Sequence, residues 1–342
     1  MLRGAIIGLG NVALEGHLPG WTRRDDVAIV AVSDTEGARR QPAEARLPAA
    51  RWYDSPDDLL AHAPLDFVDI CTPPASHGLL VCRALERGLH VLCEKPLVVA
   101  PDDLTRVARL AEETRRVVHT VHNWHHAPII KRSVELVQQG TIGQVTRVTW
   151  QTLRTKPAAA RNAGAINWRL EPALGGGGVL TDHGWHVFYL LRNWLAGSPT
   201  SVSARLERRR HTASPVEDTA TVQVTFPHAT ADIFLTWAAD RRDNVVELIG
   251  TDGRIELHEE TLRLQRDGRE QRWSCPPALS NGSVHPDWFD PEVTRFLGEV
   301  TGTVERDGNL AEARLCSVLE SLARDSDRRG GRPLALPSLP IA

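Results

Sequence analysis

"AIIGLGNVA", residues 5–13, decides the fold. Apolar residues suited to a buried strand run straight into Gly8 and Gly10, with Ala13 as a third small residue. A glycine directly after a strand permits a tight turn, and a second lets backbone approach a pyrophosphate. A third small residue lets the following helix pack against the strand. Gly8, Gly10, Asn11 and Val12 would then cradle phosphate at a helix N-terminus, where free N–H groups and the dipole favour an anion. The next strand-like run, 27–32, leads to Asp34, roughly 20 residues past the fingerprint. An acid there accepts hydrogen bonds from an adenosine ribose diol and repels a 2′-phosphate. NAD is therefore the expected cofactor, with NADP possible. Arg39 and Arg40 follow, and read either as solvated surface charge or as groups reaching a 2′-phosphate.

The alternation continues outward from this start. Strand-like runs at 5–7, 27–32, 67–70, 91–93 and 117–121 are separated by helical patterns, clearest at 78–87 and 101–115. The second of these has Pro101 in its first turn, Asp102 and Asp103 near its start and arginines at its end, as the helix dipole prefers. Such repetition implies a doubly wound parallel sheet. After about residue 122 the pattern changes. A helix over 126–139 leads to β-rich stretches at 145–153, 201–209, 219–226, 230–238, 244–249 and 254–264. The alternation in "TATVQVTF" (219–226) suits a half-exposed antiparallel sheet. Helices over 290–305 and 309–324 precede a proline-rich tail. We expect two domains, 1–122 and 123–342, with the last helix or tail able to pack back on the first.

Bulk properties narrow the partners. The 342 residues carry a net charge of −3, which gives no general attraction to nucleic acid or anionic lipid. No apolar run approaches the roughly 20 residues of a membrane span, and the N-terminus passes straight into a strand, leaving no room for a signal peptide. Five cysteines without a CxxC pair read as free thiols in a reducing compartment, so a cytoplasmic protein is expected.

Three further stretches carry chemistry. In "DICTPPASH" (69–77), Thr72-Pro73-Pro74 must be extended at a strand's carboxyl end, where doubly wound sheets bind ligands. Thr72 and Pro73 should border the cofactor, with His77 opening the next helix. In "LHVLCEKPLV" (89–98), a buried strand ends in Glu94 and Lys95 with Pro96 fixing the turn, which delivers a cation into the ligand crevice. In "GGGGVLTDHGWH" (175–186), four glycines let backbone pass close to a ligand or another strand. From there, at 100° per residue, Asp182, His186, Tyr189 and Asn193 share one stripe. Val187, Leu190, Leu191, Trp194 and Leu195 fill the rest of the helix. Such a helix offers a polar face to a cleft.

Together these signatures resemble the glucose–fructose oxidoreductase / inositol dehydrogenase family, Gfo/Idh/MocA, over essentially the whole chain. The resemblance implies an N-terminal Rossmann domain and a C-terminal α/β domain whose large, mostly antiparallel open sheet floors the substrate site. It implies NAD(P)-dependent hydride transfer at a hydroxyl-bearing carbon of a sugar or cyclitol. A homodimer or homotetramer is expected, the open sheet face being covered by a partner subunit, with "TATVQVTF" and "ADIFLTW" supplying apolar residues. Carried over by residue, it implies a catalytic trio of Lys95, Asp182 and His186, with His186 accepting the proton and Asp182 binding a neighbouring hydroxyl or orienting the base. It implies a cis Lys95–Pro96 bond, Glu94 orienting the ammonium, and cofactor contacts that include Glu94, Lys95, His77 and Asn123. Lys95, Trp124, Trp168, Arg169, Asp182, His186 and Tyr189 are expected on the substrate, with Arg161, Asn162 and Asn167 along the wall. Trp124, Trp168 or Trp185 could stack on a sugar's C–H face. Two departures stand out: Tyr189 replaces an acid three residues past the histidine, and "HNWHH" (122–126) has aromatic and imidazole groups where the family carries arginines. The rival readings are metal ligation by His122, His125, His126, Asp182 and His186, reduction of a C=O or C=N bond by the same site, and an NAD-binding member without catalysis.

Overall fold

A computed structural model describes residues 1–159, 166–281, 285–306 and 308–337. The N-terminal sheet has six strands: β1 (Leu2–Ile7), β2 (Val27–Ser33), β3 (Arg51–Tyr53), β4 (Phe67–Ile70), β5 (His90–Cys93) and β6 (Val118–Thr120). All run parallel, in the order β3-β2-β1-β4-β5-β6. This is the doubly wound arrangement expected. The short edge strand β3 carries too few residues to show a period in sequence.

One face of this sheet is closed from far along the chain. Phe289, Val293, Phe296 and Leu297 of the helix Pro286–Thr301 join Ile6, Trp21, Phe67 and Leu92 in one buried cluster. The following helix, Gly308–Arg328, grips β6 through Asn309. Its Nδ2 donates to the Thr120 carbonyl at 2.9 Å, and its Oδ1 accepts the Thr120 N–H at 2.7 Å. Both closing helices therefore pack back on the first domain. The tail adds a two-residue strand, β15 (Leu334–Ala335), to the second sheet.

That second sheet has nine strands, in the order β14-β13-β12-β11-β7-β10-β9-β8-β15. Its remaining members are β7 (Val145–Leu153), β8 (Ser201–Glu207), β9 (Thr219–Thr225), β10 (Thr230–Thr236), β11 (Asp243–Gly250), β12 (Arg254–His258), β13 (Thr261–Arg266) and β14 (Arg269–Ser274). Among the described residues of this sheet, only β7 and β10 pair in parallel. The expected run over 254–264 is two strands folded at Glu259, where φ is +54°. β14 returns through Asp267 and Gly268, both at positive φ, the backbone of a two-residue hairpin turn.

The sheet's two faces differ from expectation. Val222, Val224, Ala231, Ile233 and Leu235 are buried, packed into the core with Val187, Leu190 and Leu191 of the helix Trp185–Trp194. With a side-chain period of two, the outward residues are Thr221, Gln223, Asp232 and Phe234, beside Arg147, Gln151 and Glu247 on the neighbouring strands. The apolar residues of "TATVQVTF" and "ADIFLTW" thus serve the chain's own core. The open face is mostly polar, and an uncovered apolar sheet is no argument for a partner.

Between the domains lies a buried charge cluster. His119 on β6 has Nε2 3.0 Å from Glu292 and Nδ1 3.1 Å from Glu299, both on the 286–301 helix. Burial opposes charge on the ring, but the two carboxylates outweigh it and raise the imidazole from its ordinary 6.5 to about 9. A folded value above the unfolded one means the contribution is full below pH 6.5 and disappears as pH rises through 9. The unfolding free energy should therefore decline over this window, by up to ~3 kcal/mol. In His119→Gln that decline should be blunted. Urea titrations of both proteins across the window test this, and equal slopes would contradict it.

Candidate active site

The glycine turn has the shape the sequence suggests. Gly8 sits at φ +90°, and a Cβ there would lie 2.9 Å from the Cys71 backbone, so only glycine fits between β1 and β4. A Cβ at Gly10 would meet nothing within 4 Å, so the backbone is open on that side. Asn11 and Val12 form the lip, where the helical segment Val12–His17 begins. Asp34 lies at the end of β2, 6% exposed, with Oδ2 accepting the Leu9 N–H at 2.7 Å and Oδ1 the Glu36 N–H at 2.8 Å. Arg39 donates to the same carboxylate at 2.8 Å, which is neither of the two placements expected for it. Arg40 pairs with Glu44 on the surface. An open backbone cradle beside an acid at the strand tip fits a dinucleotide, phosphates at Gly10 and ribose at Asp34.

The loops after β4 and β5 build the crevice. His77 has Nε2 2.8 Å from the Thr72 carbonyl and Nδ1 2.7 Å from that of Pro96. Fully buried, it clamps the two loops together and is not available to a cofactor. Lys95–Pro96 is cis, as the resemblance implies. Glu94 corrects another expectation: its Oε2 accepts the backbone N–H of Lys95 at 3.0 Å, and its Oε1 lies 3.0 Å from Nε2 of His17. Its side chain fixes the lysine's backbone, and among the described residues no hydrogen bond or ion pair joins it to the ammonium. His17 was not singled out by sequence. It is buried against Phe289, with Nδ1 3.0 Å from Asp69. Burial opposes its protonation, but Asp69 and Cys71 prevail and the imidazole is raised well above its usual value. A protonated His17 bridges Asp69 and Glu94 beneath the crevice.

Lys95 reaches across to the second domain. Its Nζ donates to the Asp182 carbonyl at 2.8 Å and lies 3.3 Å from the Asp182 carboxylate. Asp182 also faces Arg169 at 3.4 Å and His183 at 3.7 Å. Burial works against its charge, yet Arg169 and Lys95 together hold the carboxyl well below the usual range. Arg169 stacks on Trp168 at 4.1 Å, and these two line one cleft with Pro74, Lys95, Thr181 and Asp182. The glycine run upstream allows close approach: a Cβ on Gly178 would lie 1.9 Å from the Glu217 carbonyl. Glu217 in turn accepts the N–H groups of Gly178 and Leu180 and pairs with Arg324 of the 308–328 helix. No local sequence signal marks Glu217 or Arg324, whose partners lie 39 and 107 residues away. Arg161 and Asn162 lie outside the described residues; Asn167 donates to the Ala158 carbonyl and shapes the wall from behind.

The expected polar stripe divides. Leu180–Gly184 is a π-helical turn that passes into the α-helix Trp185–Trp194, so Asp182 is not in α-helical register with the rest. His186 lies one turn deeper, 7% exposed, stacked on Trp124 at 4.6 Å. Its Nδ1 is 2.9 Å from the Tyr189 hydroxyl, which also accepts the backbone N–H of Trp124 at 3.1 Å. Burial, and then Lys95, push this imidazole well below 6.5, so it is neutral. Tyr189 is fully buried, its hydroxyl taken, and it cannot meet substrate directly. Trp124 has its face covered by His186, and Trp185 is buried with Nε1 donating to Nε2 of His122 at 3.1 Å, so neither is a sugar platform. Trp168 remains. Asn193 bonds His125, away from the cleft. Asn123 opens a 3₁₀ turn, Asn123–His126, just beyond β6 at the crevice end of the sheet. His183, which the sequence reading passed over, is a second imidazole beside Asp182, pushed down to about 3 by burial.

The five residues of the metal reading do not come together as one ligand set. His186 turns to Tyr189, His126 lies nearest Glu292, and His122 and His125 share Glu312 at 3.1 and 3.2 Å. The Trp185 N–H occupies Nε2 of His122, so a neutral ring carries its proton on Nδ1 and donates to Glu312. It has no lone pair there for an ion. A second group, His17, Asp69 and Cys71, is likewise bound up in hydrogen bonds, with Asp69 also taking the Trp21 N–H.

Among described residues no helix is long and apolar enough to cross a membrane. Two family models match the chain. Residues 2–122 match an oxidoreductase family with an NAD-binding Rossmann fold, and residues 130–256 match the GFO/IDH/MocA C-terminal domain. The chain is 31% identical over 190 residues to a D-glucoside 3-dehydrogenase of Escherichia coli, a match covering 54% of this chain and 52% of that protein. It thus spans about half the length of that relative. It is 27% identical over 297 residues to a D-apiose dehydrogenase of Paraburkholderia graminis, covering 82% and 75%. In fold it is similar to an inositol dehydrogenase homologue from Azotobacter vinelandii complexed with NAD⁺ (TM-score 0.84, 21% identity, 98% and 97% of the two chains). Matched across both of its domains, the chain belongs to the Gfo/Idh/MocA family of NAD-binding Rossmann oxidoreductases.

Proposed function

We propose that this chain is an NAD-dependent dehydrogenase acting on a hydroxyl-bearing carbon of a sugar, cyclitol or sugar derivative. The observation that carries the reading is Lys95: an ammonium held 2.8 Å from the Asp182 carbonyl, at the mouth of the nucleotide crevice and in the cleft that Trp168 and Arg169 line. NAD, when bound, supplies the nicotinamide that takes the hydride. The chain's residues do the rest. Lys95 stabilises negative charge on the substrate oxygen as its proton departs. His186, neutral and with Nδ1 engaged by Tyr189, accepts that proton at Nε2. Asp182, kept ionised by Arg169 and Lys95, holds an adjacent hydroxyl, and the Trp168 ring suits an apolar C–H face. Names of relatives that act on glucosides and apiose support a polyol substrate. Five unpaired thiols suit the cytoplasm. Assembly as a homo-oligomer through the open sheet would use the polar groups of that face, Arg147 and Asp232 among them, and so should weaken with salt.

Replacement of Lys95 or His186 by alanine should lower kcat by about 10²-fold or more, because each acts on charge that develops as hydride leaves. NAD⁺ affinity should change only a few-fold. Single-turnover hydride transfer with the best polyol, beside a direct NAD⁺ titration, checks both; near-normal transfer in either variant would remove that residue from the mechanism. Cofactor choice follows from Asp34 and Arg39. Asp34→Ala should narrow the preference for NAD⁺ over NADP⁺ by about 1–3 kcal/mol, by removing a repelling carboxylate and releasing Arg39 toward a 2′-phosphate. The double variant Asp34→Ala/Arg39→Ala should lose the gain in NADP⁺ use. A wild-type protein that favours NADP⁺ would overturn this.

A further inference from the structure

Four buried or half-buried histidines, His17, His119, His122 and His125, lean on carboxylates. The one in the catalytic helix does not. Nδ1 of His186 faces the Tyr189 hydroxyl, whose oxygen is fixed from the other side by the Trp124 N–H. A carboxylate in that place could only accept; it would lock the proton on Nδ1 and favour a second proton on the ring. A phenol both donates and accepts. We propose that Tyr189 is a positioning residue for hydride transfer: its hydroxyl meets Nδ1 of His186 as acceptor or as donor, so that Nε2 offers the substrate a lone pair in one tautomer and an N–H in the other.

This rests on reading His186 as the proton acceptor. In oxidation, Nδ1–H donates to the phenol oxygen while the substrate O–H bond breaks and its proton joins Nε2. The freed electron pair forms the C=O bond, and the C–H pair leaves as hydride to the cofactor. Reduction is the reverse: the doubly protonated ring, its Nδ1–H still on the phenol oxygen, returns the Nε2 proton to the oxygen as hydride reaches the carbon. In the Nε2–H tautomer, with the Tyr189 O–H turned to Nδ1, the ring only hydrogen-bonds a bound carbonyl and holds it in place until the second proton arrives. Lys95, His183 and His122 face the ring as groups that oppose its charge, and Asp182 as the one that favours it. With no carboxylate on Nδ1, burial and these neighbours keep the imidazole neutral.

The test is ¹⁵N NMR of the full chain labelled at histidine, with the His186 signals identified by their loss in His186→Gln, over about pH 5.5–9. The pH profile of kcat/KM for polyol oxidation runs alongside. Wild type should show a neutral ring with tautomers in exchange throughout, and no inflection from His186. Tyr189→Asp should fix the Nδ1–H tautomer and bring a protonation midpoint into the window, raised by at least about one pH unit, with the rate profile following. Tyr189→Phe keeps the ring that stacks on His122 and should lower kcat about tenfold while KM and NAD⁺ affinity stay within about threefold. An unchanged tautomer ratio and kcat in Tyr189→Phe would overturn the proposal, whether or not Tyr189→Asp folds. Normal hydride transfer in His186→Gln would instead sink the role given to His186, while the tautomer signals still report on Tyr189.

Discussion

The contact on which the site depends is the one between Lys95 and Asp182. It joins the carboxyl end of a Rossmann strand to a π-helical turn in the second domain, with Nζ 2.8 Å from a main-chain carbonyl and 3.3 Å from the carboxylate. Neither partner is placed by its own neighbourhood alone. The lysine's backbone is held by Glu94, which is held by His17. The aspartate's turn is held by Glu217 and Arg324 through a glycine run that passes within contact of Glu217. A cation and an anion, each largely out of water, are stabilising only when both are fixed and satisfied. The scaffolding behind each is therefore as necessary as the pair.

Three of the buried histidines show how the balance between partner and burial falls. Where carboxylate attraction exceeds desolvation, from Asp69 at His17 and from Glu292 and Glu299 at His119, the imidazole is cationic. Where the hydrogen-bond partner is a phenol and Lys95 adds to the cost of charge, as at His186, desolvation prevails and the ring is neutral. The cationic pair cement domain layers, one beneath the crevice and one between β6 and the 286–301 helix. The neutral one lies behind the Lys95–Asp182 cleft, stacked on Trp124. The same residue type is a cationic brace in two places and a neutral ring in the third, the one to which the proposed function gives the proton.

Much of this was legible in the sequence wherever the signal was local. The glycine turn, Asp34, the Lys95-Pro96 strand end and the Asp182–His186 spacing each occupy a few consecutive residues, and the structure brings Lys95, Asp182, Trp168 and Arg169 to one cleft. What failed was either long-range or dependent on register. Nothing near Tyr189 announces that its hydroxyl is claimed by Trp124, 65 residues earlier. The π-turn at 180–184 defeats a 100° wheel, so the stripe drawn through Asn193 was too long. Alternation in "TATVQVTF" identified a strand but not which face was covered, because that depends on the helix packed against it. β14 was missed although Asp267-Gly268 is a hairpin signal, since its residues are charged on both faces and show no apolar period.

The most direct measurement of the central claim is a crystal structure of the protein with NAD⁺ and its best polyol. The account predicts one substrate hydroxyl within hydrogen-bond distance of both Lys95 Nζ and His186 Nε2, with the carbon bearing it about 3–3.5 Å from nicotinamide C4. A reacting hydroxyl held by His183 or another group, with His186 turned away, would contradict it.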